Sequence, residues 1–250
     1  MSFLHKLGIG VATGGGREIA RPLPTNGRHH GAGNMPVAAT GSPRLPEMQE
    51  STRISNGLKE FLWNLDGLGR GMLLDLGPAW QTTLSFFIER GFRVSSEDIL
   101  REWKDFLSVE EQNLRAATSM GEPIDVTAGG RAARFLEENL KYSAGSFDAI
   151  LLWDVLDYLE APVAKQAVAA LTELLRPGGI VFAMFHSKKP EGFQRYRVVD
   201  SNTLQVIASP PLCAAQRVYQ NREIQDLFSR YRTVKSFVGR DQLRETLFVK

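Results

Sequence analysis

The 250-residue chain has one cysteine, Cys213, so no disulfide can close within it. It has only four histidines, and His5, His29 and His30 all lie in its glycine- and proline-rich beginning. That leaves no cysteine/histidine cluster at zinc-ligand spacing, and a structural zinc site is excluded. Long hydrophobic runs are missing as well: the run Ala149–Trp153 stops at Asp154, far short of the roughly 20 residues that cross a bilayer. Near the amino terminus Phe3, Leu4 and Leu7 give way to glycine-rich sequence from Gly8 to Gly16, which interrupts any signal-peptide core. Together with the lone cysteine, this points to a cytoplasmic protein without a membrane segment. No repeat period emerges, so solenoid architectures fall away.

A composition of 43% hydrophobic and 23% charged residues suits one globular domain with a modest appendage. Residues 1–50 hold nine glycines and five prolines among few large apolar side chains. Such sequence cannot offset the entropy of ordering, and we assign 1–50 as a flexible tail and 51–250 as the folded domain. The glycine runs Gly8–Gly10 and Gly14–Gly16 do not make a phosphate loop, because no strand precedes them and no Gly-Lys-Ser/Thr follows.

From Ser51, the residues Ile54, Leu58, Phe61, Leu62 and Leu65 recur at helical spacing up to Asp66-Gly67. Gly71–Leu76 reads as a strand, Thr82–Arg90 as a helix and Phe92–Ser96 as a second strand, which is the βαβ unit of a parallel sheet. Residues Ile99–Leu140 are mostly helical; the sequence places a loop around Gly121–Gly130 and a short third strand at Arg134–Leu136. Phe147–Trp153 is a continuous apolar strand of the kind buried on both faces. A helix through Val163, Val168, Leu171 and Leu175 follows, ending at Arg176-Pro177-Gly178-Gly179 before the strand Ile180–Phe185. Tyr196–Val199 and Thr203–Ile207 flank Asp200-Ser201-Asn202 as an inserted β-hairpin. Asn221 is placed to cap a helix through Ile224, Leu227 and Phe228. The segments Val234–Val238 and Glu245–Val249 close the chain as an antiparallel pair.

In an open α/β sheet ligands lie beyond the carboxyl ends of the strands, where the strand order reverses. The residues there are Asp75-Leu76-Gly77, Glu97-Asp98, Trp153-Asp154 and His186. A glycine lets backbone approach a ligand closely, and a carboxylate closing the second strand can accept both hydroxyls of a ribose.

Read together, Leu74-Asp75-Leu76-Gly77, Asp98, the stretch Ser146–Leu159 and Leu174-Leu175-Arg176-Pro177-Gly178-Gly179-Ile180-Val181 resemble the class I S-adenosylmethionine-dependent methyltransferases. The resemblance covers about residues 51–250. It implies a three-layer Rossmann-like α/β sandwich whose mostly parallel seven-stranded sheet has the order 3-2-1-4-5-7-6, with the last strand antiparallel. It also implies S-adenosyl-L-methionine as cofactor and methyl transfer to an acceptor that the sequence does not identify. Carried over by position, Asp75 and Gly77 border the methionine part, Asp98 holds the ribose with Glu97 beside it, and Leu136 or Glu137 lies near the adenine. Trp153 and Asp154 wall cofactor from acceptor, and Trp80 or Trp153 is placed to face the sulfonium.

The chain departs from the family in the first loop. Where Gly-Xaa-Gly-Xaa-Gly is usual, it reads Gly77-Pro78-Ala79-Trp80-Gln81. Pro78 removes a backbone donor, and Gln81 is costly if its backbone needs positive φ. Methyl transfer is an in-line displacement that depends on alignment, and a base is needed only for a protonated nucleophile. Asp154, Asp157, Tyr158 and His186 are the candidates.

Charge is uneven: 51–186 holds 13 basic and 19 acidic residues, whereas 187–250 holds 12 basic and 6 acidic. Arg217, Arg222, Arg230, Arg232, Lys235, Arg240 and Arg244 are not interleaved with aromatics in an RNA-binding motif, so we read them as a solvated face rather than a nucleic-acid site. Two other functions compete with methyl transfer. The altered loop suggests a non-catalytic binding or scaffolding protein on the same fold. A nicotinamide-dependent dehydrogenase is disfavoured, because Gly-Xaa-Gly-Xaa-Xaa-Gly is absent after the first strand.

Overall fold

The computed structural model describes residues 50–120 and 127–250. The tail assigned to 1–50 therefore lies, except for Glu50, outside the described residues.

The main sheet is built from β2 (Gly71–Asp75), β3 (Phe92–Ser96), β4 (Phe147–Trp153), β5 (Leu175–His186), β8 (Arg232–Val238) and β9 (Leu243–Val249). Its order is β3-β2-β4-β5-β9-β8. The first four strands run parallel, and β9 is antiparallel to both neighbours. This is the expected order without its third strand. Alternation along the central strands separates two cores. Ile150, Leu152, Val181, Ala183 and Phe185 face one layer, while Ala149, Leu151, Trp153, Phe182 and Met184 face the other. Full burial of each of the large side chains among them stabilises the fold by about 1.5–3 kcal/mol.

The third strand expected at Arg134–Leu136 is instead part of α4 (Ala128–Asn139), and a six-stranded sheet replaces the seven-stranded one. Ala132 and Phe135 fall on one helical face and are buried there. Phe135 packs against Trp103 and Phe106 of α3 (Ile99–Met120). Three residues with one large aromatic side chain satisfy a helical period as well as a strand period, and here the helical contacts win. Both helices lie with α5 (Ala161–Leu174) and α6 (Asn221–Leu227) against the first core.

The opposite layer also differs from expectation. The helix begins not at Ser51 but at α1 (Asn56–Leu65), where the Ser55 hydroxyl accepts the Leu58 N–H at 2.9 Å. Glu50–Ile54 is a strand, β1, paired antiparallel with β7 (Thr203–Ala208). The side chain of Ile54 points to solvent rather than extending the α1 stripe. The predicted hairpin, β6 (Gln194–Val198) with β7, is thereby the greater part of a three-stranded sheet ordered β1-β7-β6.

Tyr196, Val198, Leu204 and Val206 of this small sheet pack on the second core, beside α1 and α2 (Gln81–Ile88). The Thr83 hydroxyl of α2 accepts the Val198 N–H at 2.9 Å, which docks the ribbon over the carboxyl ends of the main strands. Helix α6 is capped by Gln220, with Glu223 completing the box, so Asn221 is its first helical residue rather than its cap. In the Pro-Gly-Gly turn Gly178 has φ +79°, and its N–H reaches the carbonyl of Lys250 at 2.9 Å. Among the described residues no helix is long and apolar enough to cross a membrane.

Candidate functional site

Strand β2 has β3 on one side and β4 on the other, so the chain leaves it in opposite directions. A crevice is expected beyond the carboxyl end at such a point. Asp75 ends β2 there, fully buried, with its Oδ1 accepting the Gly77 N–H at 3.0 Å and the Trp153 indole N–H at 2.7 Å. Burial raises its pKa to about 6, although both hydrogen bonds oppose the shift. The Ser96 hydroxyl donates to the Gly77 carbonyl at 3.1 Å, and the Glu97 N–H to the Asp75 carbonyl at 2.8 Å, which tie the loop to the end of β3.

Gly77 is the close-approach position, but its neighbour is part of the chain itself. A Cβ there would stand 2.8 Å from Trp153 Nε1. The altered loop carries no backbone penalty: the only non-glycine residues with positive φ are Trp153 and Gln242 among those described. Gln81 is simply the first residue of α2. Trp80 sits under the guanidinium of Arg197, 5.7 Å from ring centroid to Cζ, on the ribbon side.

Trp153 carries the local strain. It has φ +52°, a region that non-glycine residues seldom occupy, and the register of β4 against β5 shifts between Leu151 and Trp153. Its indole stacks on Tyr196 at 5.9 Å and meets Phe182 edge-on at 6.0 Å. Strain at the end of a central strand, offset by a hydrogen bond to Asp75, holds the indole across the space beside Gly77.

Asp98 follows β3 and is held by the ribbon. The Arg195 guanidinium lies 2.8 and 3.1 Å from its two oxygens, and the two side chains are only 9% and 16% exposed. Arg195 and Tyr196 do not stand out in the sequence, where the basic residues of interest begin at Arg217. The imbalance between an acidic 51–186 and a basic 187–250 was the available signal. Glu97 accepts the hydroxyl of Tyr142. Burial, together with the nearby Glu97 and Asp98, raises Glu102 to about 7. Asp75, Gly77, Glu97, Asp98 and Trp153 are thus brought together. Leu136 packs within the first core and Glu137 is exposed on α4, which lies against α5.

The remaining candidates form a second cluster at the ends of β4 and β5. Asp157, in the 3₁₀ turn Val155–Tyr158, accepts both the backbone N–H of His186 at 2.7 Å and its ring Nδ1–H at 2.9 Å. Asp154 Oδ2 lies 3.8 Å from the same Nδ1 and accepts the Tyr196 hydroxyl at 3.2 Å. Burial, reinforced by Asp157, raises Asp154 to about 7 despite the opposing influence of His186. Burial depresses His186, but the Asp157 hydrogen bond and the two acidic neighbours outweigh it and raise the imidazole overall. Tyr158 packs its ring edge-on to His186 at 6.4 Å, and its buried hydroxyl has no partner among the described residues.

Several of the carboxyl-terminal cations are occupied. Arg217, Arg230 and Lys235 pair with Glu223, Glu173 and Glu60, and Arg244 donates to Asn221 and to the carbonyl of Tyr219.

No protein-family model matches the chain, and no curated protein matches it. Among solved structures it is similar to the 1,6-didemethyltoxoflavin-N1-methyltransferase of Burkholderia thailandensis, determined with 1,6-didemethyltoxoflavin and S-adenosylhomocysteine bound. The identity is 15%, over 78% of this chain and 79% of that one, with a TM-score of 0.43. It is also similar to an S-adenosylmethionine-dependent methyltransferase of Mesorhizobium loti, at 12% identity over 76% and 96% of the two chains and a TM-score of 0.43. A methyltransferase of Aquifex aeolicus gives 11% identity, 76% and 88% coverage and a TM-score of 0.39.

Proposed function

We propose that the protein is an S-adenosylmethionine-dependent methyltransferase whose cofactor site lies beyond the ends of β2, β3 and β4. The observation that carries this reading is the pair Asp75 and Asp98, which close neighbouring strands at the switch point, each receiving an N–H donor from the chain. The cofactor brings donors of the same kind: an α-ammonium for the buried acid and ribose hydroxyls for the outer one. The donor chemistry of the site therefore fits the group, and the space becomes available when Trp153 turns and Arg195 releases Asp98.

When bound, the cofactor supplies an electrophilic methyl carbon. The protein's own residues do the rest. Asp75 and Asp98 orient by accepting hydrogen bonds, and the Gly77 backbone permits close approach. Tyr196, hydrogen-bonded to Asp154, stays between this site and the Asp154–Asp157–His186 cluster when Trp153 turns. His186, with Nδ1 held by Asp157, can keep a proton taken at Nε2.

A second reading has its own support, since Trp153 and Arg195 occupy the two acids: a non-catalytic binding or scaffolding protein on the same fold. Calorimetric titration with S-adenosylmethionine and S-adenosylhomocysteine, with a nicotinamide nucleotide as control, separates the two. Saturable binding of the first two alone, abolished by Gly77→Arg, supports the methyltransferase. A folded protein that binds none of them refutes it and leaves the second reading.

A further inference from the structure

A cavity of about 520 Å³ opens beyond the end of β5, where His186 lies. Its walls come from β1, the ribbon, the segment after His186 and the turn between β8 and β9. His186 is only 6% exposed yet lines it. Nδ1 is engaged by Asp157, and the other ring nitrogen, Nε2, has no hydrogen-bond partner among the described residues.

The charges around the opening are distinctive. Arg53 is neutralised, with Asp241 at 2.7 Å and Glu245 at 2.6 Å. Lys188, Lys189 and Arg240 line the same cavity and carry no ion pair among the described residues; Glu191 is the one acid there in the same condition. The cavity is therefore net positive, with the buried His186 among its lining residues. Its volume suits a small molecule rather than a polymer.

We propose that this cavity binds a small molecule carrying a phosphate or carboxylate, held by Lys188, Lys189 and Arg240, with a hydroxyl or amine of that molecule presented to His186 Nε2. On proton transfer the O–H or N–H bond breaks with its electron pair left on that oxygen or nitrogen, the Nε2–H bond forms, and the imidazole keeps its Nδ1–H, donated to Asp157. From His186 a chain of contacts runs to the Trp153 site: Asp154 lies 3.8 Å from Nδ1 and accepts the Tyr196 hydroxyl, and the Tyr196 ring stacks on Trp153. Identifying this ligand as the methyl acceptor rests on the preceding reading, whereas the binding itself does not.

The test is nuclear magnetic resonance of the His186 imidazole, assigned through its loss in His186→Gln, on the full chain without S-adenosylmethionine. Sodium pyrophosphate and citrate serve as separate probes of phosphate and carboxylate. The expected result is a saturable shift of the His186 signal with at least one probe, which identifies the anion source. Its affinity should fall about tenfold or more in the exposed charge-reversal variant Lys188→Glu/Lys189→Glu/Arg240→Glu. No shift with either probe overturns the proposal, as does a shift that the triple variant leaves unchanged. If the signal moves in a protein that binds no S-adenosylmethionine, the anion site stands and the acceptor role falls. If the protein binds S-adenosylmethionine and the signal stays fixed with both anions, the anion site falls and the cofactor site stands.

Discussion

Replacing Arg195 by methionine tests the idea that the ribbon holds the cofactor site closed. The guanidinium reaches both oxygens of Asp98, at 2.8 and 3.1 Å, from a position that is 9% exposed. A hydrogen bond to a charged partner in such a setting is worth about 1.5–3 kcal/mol. Ribose hydroxyls that take over Asp98 must first displace it, so the apparent affinity is reduced by the small fraction of molecules in which Asp98 is free. Methionine keeps an apolar stem near Phe193, over which the Arg195 guanidinium lies at 4.9 Å, but donates nothing. Arg195→Met should therefore tighten S-adenosylhomocysteine binding by about 10- to 150-fold in calorimetric titration. The fold should survive. Asp98 keeps Arg101 at 3.4 Å, and a loss of about 1.5–3 kcal/mol remains inside a domain's stability of about 5–15 kcal/mol. Binding that is unchanged or weaker in a folded variant would refute the reasoning.

Three further outcomes follow from the geometry. Asp75 and Asp154 hold protons in the folded state, to about pH 6 and about pH 7, that the unfolded chain loses near pH 4. Folding stability should thus fall as pH rises from about 4 to 7, and the urea midpoint should be higher at pH 5 than at pH 7.5, with a smaller difference in Asp154→Asn. In Gly57→Ala the new Cβ would lie 2.7 Å from both Glu245 Cβ and a Phe182 ring carbon. The overpacking should cost about 1–3 kcal/mol and lower the melting temperature by roughly 2–12 °C; an unchanged melting temperature would contradict the packing described. Thr83→Val removes the acceptor of the buried Val198 N–H at nearly constant volume, and should cost about 1–3 kcal/mol by chemical denaturation, with hydrogen exchange accelerated in β6.

The strands β2, β4 and β5 were legible in the sequence because burial on both faces demands unbroken apolar runs, and Leu73-Leu74, Ile150–Leu152 and Ile180–Phe185 supply them. Asp75 was legible as a strand-end acid for a related reason, since it closes such a run, whereas Asp98 follows the half-buried strand Phe92–Ser96 and was placed by its position in the βαβ unit. The segment Arg134–Leu136 was not, since one phenylalanine cannot distinguish the two periods and the deciding contacts come from Trp103 and Phe106, some 30 residues earlier. Nor was β1. Glu50–Ile54 is a strand because β7 offers it a pairing edge, and every one of its residues is exposed or half-buried, so no local pattern announces it.

The site was divided in the same way. Which residues end the strands is written locally, but which side chains then reach across them is not. Arg195 stands 97 positions from Asp98, and Trp153 stands 78 from Asp75. That Trp153 has a left-handed backbone and bonds Asp75 beside Gly77 could not be read locally either.

That indole gives the most direct test of the central claim. Its N–H, hydrogen-bonded to Asp75 at 2.7 Å, yields one of the four tryptophan indole signals in a ¹H–¹⁵N spectrum, and Trp153→Phe identifies it. Saturating S-adenosylmethionine should shift this signal as the bond to Asp75 breaks, while the indole of the exposed Trp63 stays in place. A Trp153 signal that does not move at saturating cofactor would contradict a cofactor site at the ends of β2, β3 and β4.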